Sequence, residues 1–263
     1  SRWPATTSRT CADEQWDMLQ KDQGVVLGVS RSGETSLLVT FLGGCSGKIL
    51  LVAKGALSPR HPTHGLLEPG NHVEVVYYYK EGRSAHYLRE ASRLSAPGAG
   101  RDSLEHMAVR LAAVELLDLV CYAGGPDEDI VAVAVDFLTC SAGDPVVAFL
   151  AFEAKLLVAL GAAPEVTACA CCAAAPDAGA YDAREGASYC AEHAGGIEDA
   201  LELSAEAAAL LRAALARPIA ETAAGAATRA ARKQVGKILH WTYTLHVQGY
   251  RLPRSLDLLR SRN

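Results

Sequence analysis

The sequence is poor in aromatic residues. Four Phe, three Trp and nine Tyr make up 6% of its 263 residues, and methionine occurs only twice. A chain so short of large rings must build its core from aliphatic side chains, and one this rich in alanine should do so mainly with helices. It also lacks any apolar run close to the roughly eighteen residues that a membrane-crossing helix requires, so no membrane partner is expected. The opening stretch SRWPATTSRTCADEQ has none of the apolar segment of a secretory signal. The expectation is a cytoplasmic chain whose thiols stay reduced, with residues 1–20 as a flexible leader.

Several motifs of common chemistries are missing too. There is no G-x-x-x-x-G-K-[ST] phosphate loop and no H-E-x-x-H. The segment GVSRSG does not space its serine as G-x-S-x-G does. Glu34, in SGETS, sits in a turn sequence without an evident partner. These absences argue against an enzyme. No internal repeat recurs at a fixed period.

What is present is unevenly distributed. The formal net charge of −5 hides three blocks. Residues 20–95 carry nine Lys and Arg against six Asp and Glu, a net of +3. Residues 96–203 carry four against eighteen, a net of −14, and residues 204–263 carry ten against three, a net of +7. With charge segregated in this way, local fields matter more than the total.

The first block has the pattern of strands. GVVLGVS, SLLVTFL, GKILLVA, HVEVVYYY and HYLREASRL are short, rich in β-branched and aromatic residues, and mostly separated by Gly, Ser or Pro. In the fourth, Val73, Val75, Tyr77 and Tyr79 fall on one face. Five strands in about 70 residues suit a small closed barrel, since closure removes exposed edges. The longer stretch GALSPRHPTHGLLEPGN lies where a five-stranded OB barrel has its long connection.

From residue 101 the period changes to that of helices. Leu104, Met107, Leu111, Val114, Leu117 and Cys121 recur every three or four residues, and Asp102 with Glu105 has the form of a capping box. DEDIVAVAVDFLTC and DPVVAFLAFEAKLLVALG predict two further helices, the latter with Asp144 as cap, Pro145 in its first turn, and Gly161 with Pro164 at its end. SAEAAALLRAALA and ATRAARKQVGKILHWTYTLHVQG predict two more.

Residues 167–199 interrupt the helices, and Tyr181, Tyr189 and Ile197 are their only large apolar side chains. So little apolar surface cannot offset the entropy of ordering the segment. Cys169 and Cys172 form C-x2-C, and Cys190 and His193 form C-x2-H, with 17 residues between. Two such knuckles place four N and S donors around a tetrahedral Zn²⁺ with no open position, so the ion would be structural. Cys171 offers C-x-C with Cys169 and is an alternative to Cys172, which is preferred because a two-residue spacer allows the knuckle turn. A redox C-x-x-C would be expected beside a βα unit, and none is evident. Of the remaining cysteines, Cys121 and Cys140 read as core.

The order of barrel, helices, zinc knuckle and basic helical end, together with the residues themselves, resembles the RecO family of bacterial DNA repair proteins from about residue 22 to residue 260. GVVLGVSRSGETSLLVTFLGGCSGKILLVAKGA is similar to that family's opening barrel. FEAKLLVALGAAPEVTAC is similar to its helix leading into the first knuckle, and LHVQGYRLPRSLDLL to its C-terminal end. His193 departs from the pattern, standing where zinc-bearing relatives usually have a fourth cysteine.

The resemblance implies an α+β protein: an OB-fold domain over 21–95, and a helical domain over 96–166 and 200–263 with a zinc-binding insert at 167–199. It implies a recombination mediator that binds single- and double-stranded DNA and anneals complementary strands. Its implied partners are RecR, single-strand-binding protein and, indirectly, RecA, in a cytoplasmic, nucleoid-associated setting. An RNA-binding OB-fold protein with a zinc knuckle is the alternative.

OB barrels bind strands across their second and third strands and with two flanking loops. The candidate DNA contacts there are Arg31, Lys48, Lys54, Arg60, Lys80 and Arg83. The last long helix adds Arg229, Arg232, Lys233 and Lys237 at spacings that share one stripe. Val235, Ile238, Leu239 and Tyr243 are expected on its buried side, and His240, Trp241 and His246 as packing residues. Tyr77 and Tyr79 are expected inside the barrel.

Overall fold

The computed structural model describes residues 18–95, 103–122, 125–141 and 143–260. Its first five strands are β1 (Met18–Ser32), β2 (Ser36–Gly43), β3 (Gly47–Ala53), β4 (His72–Tyr79) and β5 (His86–Arg93). They close into a barrel in the order β1-β2-β3-β5-β4, the expected OB-type architecture. Closure depends on the length of β1. Its first half pairs with β4 from Met18↔Tyr79 to Val25↔His72, and its second half pairs with β2 from Gly24↔Gly43 to Ser32↔Ser36. The register shifts between Val26 and Gly28, and such a bulge bends a strand so that one chain serves two neighbours. A short parallel pairing of β3 with β5, Leu51↔His86 and Val52↔Tyr87, seals the last seam. Because β1 begins at Met18, residues 18–20 are strand rather than leader. The rest of the expected leader lies outside the described residues.

Alternation sorts the barrel residues. Val26, Val39, Phe41, Leu51, Val73, Val75 and Tyr77 fill the interior, and the Tyr77 hydroxyl donates to Gln20 Oε1 at 2.8 Å. Val25, Leu27 and Leu42 point the other way, into the core of the helical domain. The two regions therefore share apolar packing across one barrel wall. Gly47, at φ +64°, marks how close they come, because a Cβ there would lie 2.0 Å from the Gly125 carbonyl oxygen. Arg110 adds hydrogen bonds to the Leu138 and Gly70 carbonyls.

The helices are α1 (Leu104–Val120), α2 (Glu128–Thr139), α3 (Pro145–Ala159), α4 (Ala205–Ala216), α5 (Ile219–Ala224), α6 (Arg229–His246) and a short α7 (Asp257–Arg260) after a 3-10 turn at Arg254–Leu256. Nearly every residue of α3 is buried, from Val147 to Leu157, and α1, α2, α4, α5 and α6 all pack against it. Three of the four phenylalanines meet there, Phe137, Phe149 and Phe152, with ring centroids 4.9–6.1 Å apart. As expected, the Asp144 side chain caps α3, accepting from the Val146 and Val147 amides at 2.9 and 3.1 Å.

Two expectations for α1 are corrected. Its N-cap is Ser103, which makes no side-chain capping bond, and Asp102 lies outside the described residues. Of its expected stripe Val114, Leu117 and Cys121 are buried, together with Val109, Ala112, Ala113, Leu116 and Val120, but Met107 is 46% and Leu111 37% exposed. Small alanines face the core because α1 packs closely on the fully buried α3, and the larger Met107 and Leu111 are displaced outward. The short α5 is not evident in the sequence pattern.

The segment around the cysteines is also more ordered than its composition suggests. Strands β6 (Glu165–Cys169), β7 (Gly179–Asp182), β8 (Ala187–Cys190) and β9 (Leu201–Leu203) form a sheet in the order β6-β8-β7-β9. Tyr181 is fully buried and, with Val166, Leu201 and Leu203, joins the main helical core. One face of the segment thus rests on apolar packing, and only its outer turns depend on the cysteine cluster.

Candidate metal centre and nucleic-acid surface

Each knuckle is a tight turn at a strand end. Cys169 closes β6, and Ala173, at φ +58°, turns the chain back so that its amide donates to the Cys169 carbonyl at 2.9 Å. Cys190 closes β8, and the amides of His193 and Ala194 both donate to its carbonyl at 2.9 Å. The parallel pairing of β6 with β8 sets the two turns side by side. The ligand atoms of Cys169, Cys172, Cys190 and His193 then lie within 4.8 Å of one another.

This spacing suits a tetrahedral ion. Bonds of about 2.3 Å to sulfur place two sulfurs roughly 3.8 Å apart. Cys172 Sγ and Cys190 Sγ are 3.9 Å apart, Cys169 Sγ is 3.9 Å from His193 Nδ1, and Cys190 Sγ is 3.1 Å from it. Donation from the Cys190 backbone amide, helped by the amides of Cys172 and Cys171, lowers the Cys169 thiol to about 6. The hydrogen bond from the His193 ring lowers Cys190 as well. Both effects favour thiolate, the form that binds metal. Of the two alternatives, Cys172 lies within the cluster and Cys171 outside it, both being exposed. Four protein donors that suit a metal are therefore assembled here.

The candidate cations fare differently from one another. Lys48 is engaged internally. Its ammonium reaches Asp118 of α1, 2.7 Å from the carboxylate and 2.6 Å from the backbone carbonyl, and so ties the barrel to the helical domain. Arg232 is likewise engaged, 2.7 Å from the Asp144 carboxylate and donating to the Ala227 carbonyl at 3.0 Å. The remaining candidates are more open. Arg31, at the end of β1, and Lys54, just after β3, lie at the same end of the barrel, because Leu37 pairs with both Arg31 and Ala53. The Lys54 ammonium sits 4.2 Å from the centre of the half-exposed Tyr87 ring. Arg83 is exposed and Lys80 half-buried in the β4–β5 loop, and Arg60 is exposed in the long connection between β3 and β4. Arg229, Lys233 and Lys237 are exposed on α6, away from the barrel.

Outside β2 and β3 runs a groove of about 920 Å³, walled by Thr40, Lys48, Leu50 and Arg83 on the barrel side and by Asp118 and Tyr122 on the helical side. Tyr122, 67% exposed, was missed from sequence because it stands just beyond the end of α1, where periodicity gives no sign of a surface role. Tyr77 is buried as expected and Tyr79 packs against the barrel core. A second groove, of about 880 Å³, opens between α3 and α6. On α6, Val235, Ile238, Leu239 and Tyr243 are buried as expected. His240 is half-buried and tilted against Tyr250 at 5.4 Å. Trp241, however, is 44% exposed and His246 is exposed, so neither is a packing residue. They lie on the outer side of α6, while Thr242 and Tyr243 in the same turns face inward and the Tyr243 hydroxyl donates to the Glu153 carbonyl of α3 at 2.9 Å.

Comparison with known proteins matches both halves of the chain. The family described as "Recombination protein O N terminal" matches residues 18–97, and "Recombination protein O C terminal" matches residues 101–256. The chain is 34% identical over 224 residues to the DNA repair protein RecO of Anaeromyxobacter sp. (strain K), covering 82% of this chain and 88% of that one. It is 27% identical over 196 residues to the DNA repair protein RecO of Exiguobacterium sibiricum, covering 74% and 78%. Among the described residues, no helix is long and apolar enough to cross a membrane.

Proposed function

The chain belongs to the RecO family of DNA repair proteins, and on that premise we propose that it is a recombination mediator. It binds single- and double-stranded DNA, anneals complementary strands, and with RecR helps load RecA onto strands coated by single-strand-binding protein, in the cytoplasm at the nucleoid. The observation that carries this reading is the open groove along β2 and β3 of an OB-type barrel, with Arg83 and Tyr122 on its two sides. A strand laid there meets Arg83 for a phosphate and the Tyr122 ring for a base. Arg31, Lys54, Lys80 and Arg60 extend the basic surface around the barrel. Lys48 contributes mainly by holding that surface against α1.

The protein acts by binding and not as an enzyme. Two DNA strands repel each other, and a barrel block of net +3 with a terminal block of net +7 can neutralise two at once. The acidic middle is left for other contacts. The groove between α3 and α6 has an apolar floor of Val146, Phe149 and Leu150, with Arg229 and Lys233 at its side. It suits a partner's tail of mixed apolar and acidic character, and we assign it to single-strand-binding protein. Cys169, Cys172, Cys190 and His193 would hold Zn²⁺, whose contribution is to lock the two knuckles together; the domain limits are 21–95 for the barrel, 96–166 and 200–263 for the helices, and 167–199 for the metal-bearing insert.

The test is annealing of complementary strands coated with single-strand-binding protein, followed by fluorescence with and without ATP. Wild type should accelerate annealing without ATP, and Arg31→Glu/Lys54→Glu/Arg83→Glu should lose most of that. Log affinity should fall with log salt by about 0.7 per neutralised phosphate on single strands. No acceleration over buffer, or a need for ATP, overturns the mediator reading. Preference for RNA over DNA of equal length would favour the RNA-binding alternative.

A further inference from the structure

The outer side of α6 carries one exposed side chain on every fourth residue: Arg229, Lys233, Lys237, Trp241 and Leu245. At 1.5 Å of rise per residue this is a ridge about 24 Å long. Three cations lead into an indole that is 44% exposed. Among the described residues, no aromatic ring stacks on that indole and no cation lies over it. A large exposed ring at the end of a basic stripe contributes nothing evident to packing, since the buried side of α6 is complete without it.

The indole also has a cavity beside it. Lys237, Trp241 and Leu245 form one wall of a cleft of about 440 Å³, and the loops around β7 and β9 form the other. That volume is in the range of small-ligand sites and admits a single nucleotide rather than a duplex. The opposite wall holds Arg184, 2.8 Å from Asp199. Both partners of this pair are largely solvated, at 68% and 78% side-chain exposure, and such pairs are weak enough to yield to another anion. Asp182 is occupied with its own turn, accepting from the Arg184 and Glu185 amides at 2.8 and 3.4 Å. The cleft thus offers an aromatic face between two cations.

We propose that this cleft is a second contact for single-stranded nucleic acid, in which one base stacks on Trp241 and the flanking phosphates meet Lys237 and Arg184. It rests on the DNA-binding reading and adds to it a site in the helical domain, remote in sequence from the barrel. An aromatic platform with cations on either side serves any base, because every base has a π-face.

Three tryptophans are present, Trp3, Trp16 and Trp241. The full chain with Trp3→Phe and Trp16→Phe therefore reports on Trp241 alone. It is titrated with labelled oligothymidylate and with an abasic strand of equal length, reading strand anisotropy and indole emission together. Both strands should bind, and only oligothymidylate should quench the indole. Trp241→Ala in the otherwise unaltered chain should weaken oligothymidylate binding by about tenfold, the size of one lost stacking contact, and should change abasic-strand binding little. Trp241→Phe should restore most of the affinity. Binding of oligothymidylate with unchanged indole emission overturns this site and leaves the barrel reading intact, and would turn the cleft toward a protein partner. Failure of both strands to bind overturns the DNA-binding reading itself.

Discussion

In the barrel, Asp22 is 5% exposed, and its carboxylate accepts from the amides of Gln23, Cys45 and Ser46 at 2.8, 3.2 and 2.8 Å and from the Ser46 hydroxyl at 2.5 Å. In the helical domain Glu153 is also 5% exposed, yet among the described residues nothing donates a hydrogen bond to its carboxyl. Burial pushes Glu153 up to about 8. The barrel uses its buried acid to organise the β2–β3 turn, and packs it so closely that a Cβ on Gly43 would lie 2.1 Å from Asp22 Oδ2. The helical domain leaves its acid in an apolar setting at the side of a groove. The difference follows from backbone chemistry. A sheet turn has amides to offer a carboxylate, whereas the amides inside α3 are already committed to their own carbonyls.

The two regions also fasten their edges differently. Strand pairing closes the barrel on itself. Strands of only three to five residues in the small sheet cannot do so, and β6–β9 rely on Tyr181 below and the cysteine knuckles above. This contrast predicts that metal removal acts on one region alone, and it is the largest effect expected. Cys190→Ser, or chelation of wild type, should raise the rate of proteolytic cleavage within 170–198 by about tenfold or more, because local opening there loses its main barrier. Limited proteolysis read by mass spectrometry checks this, and cleavage appearing equally in the barrel would break the contrast.

Next in size is Asp22→Ala. It strands buried amides of the β2–β3 turn, each at about 1–3 kcal/mol, so an overall loss of about 3 kcal/mol is expected in urea unfolding. Glu153→Gln should behave in the opposite manner. The unfolded chain releases this proton near the ordinary 4.5 while the folded chain holds it to about 8. Stability tied to Glu153 is therefore present below about 4.5 and is lost as pH rises toward 8. Glu153→Gln should flatten the fall in melting temperature across that interval; an unchanged pH slope would show that the two carboxyls are not treated differently.

Smaller again is Asp118→Ala, which removes the carboxylate from Lys48 and leaves it only the backbone carbonyl at that position. Loss of this partly exposed pair should cost about 1 kcal/mol. Lys48 without that carboxylate should raise DNA affinity slightly at low salt, measured by strand anisotropy. The smallest effect is expected for Cys171→Ser, which should leave metal content and stability unchanged. A loss of bound metal there would move the ligand from Cys172 to Cys171.

Much of this was legible in the sequence. The five barrel strands follow from β-branched alternation, because alternation is what a strand with one face buried requires. Asp144 and Pro145 announced the start of α3, because cap and first-turn chemistry involve only neighbours. The C-x2-C and C-x2-H spacings predicted the four donors that converge, since each knuckle is itself a local turn. The order of the small sheet was not legible: β6 and β8 are separated by about twenty residues, and their parallel pairing leaves no local sign.

Tertiary packing alone decided which charges are open and which rings are covered. Lys48 and Arg83 look alike along the chain, but Lys48 meets Asp118, 70 positions away, and Arg83 remains in solvent. Arg232 shares its stripe with Lys233, yet only Arg232 reaches Asp144. Trp241 is a large ring of the kind a core takes, and ends exposed because it falls on the outer side of α6, while Tyr243 two residues on is buried against α3. Local pattern governs whether a helix or strand forms, since those bonds join near neighbours. Pairing and exposure depend on which distant surfaces meet, and that is settled only when the barrel wall, α1 and α3 come together.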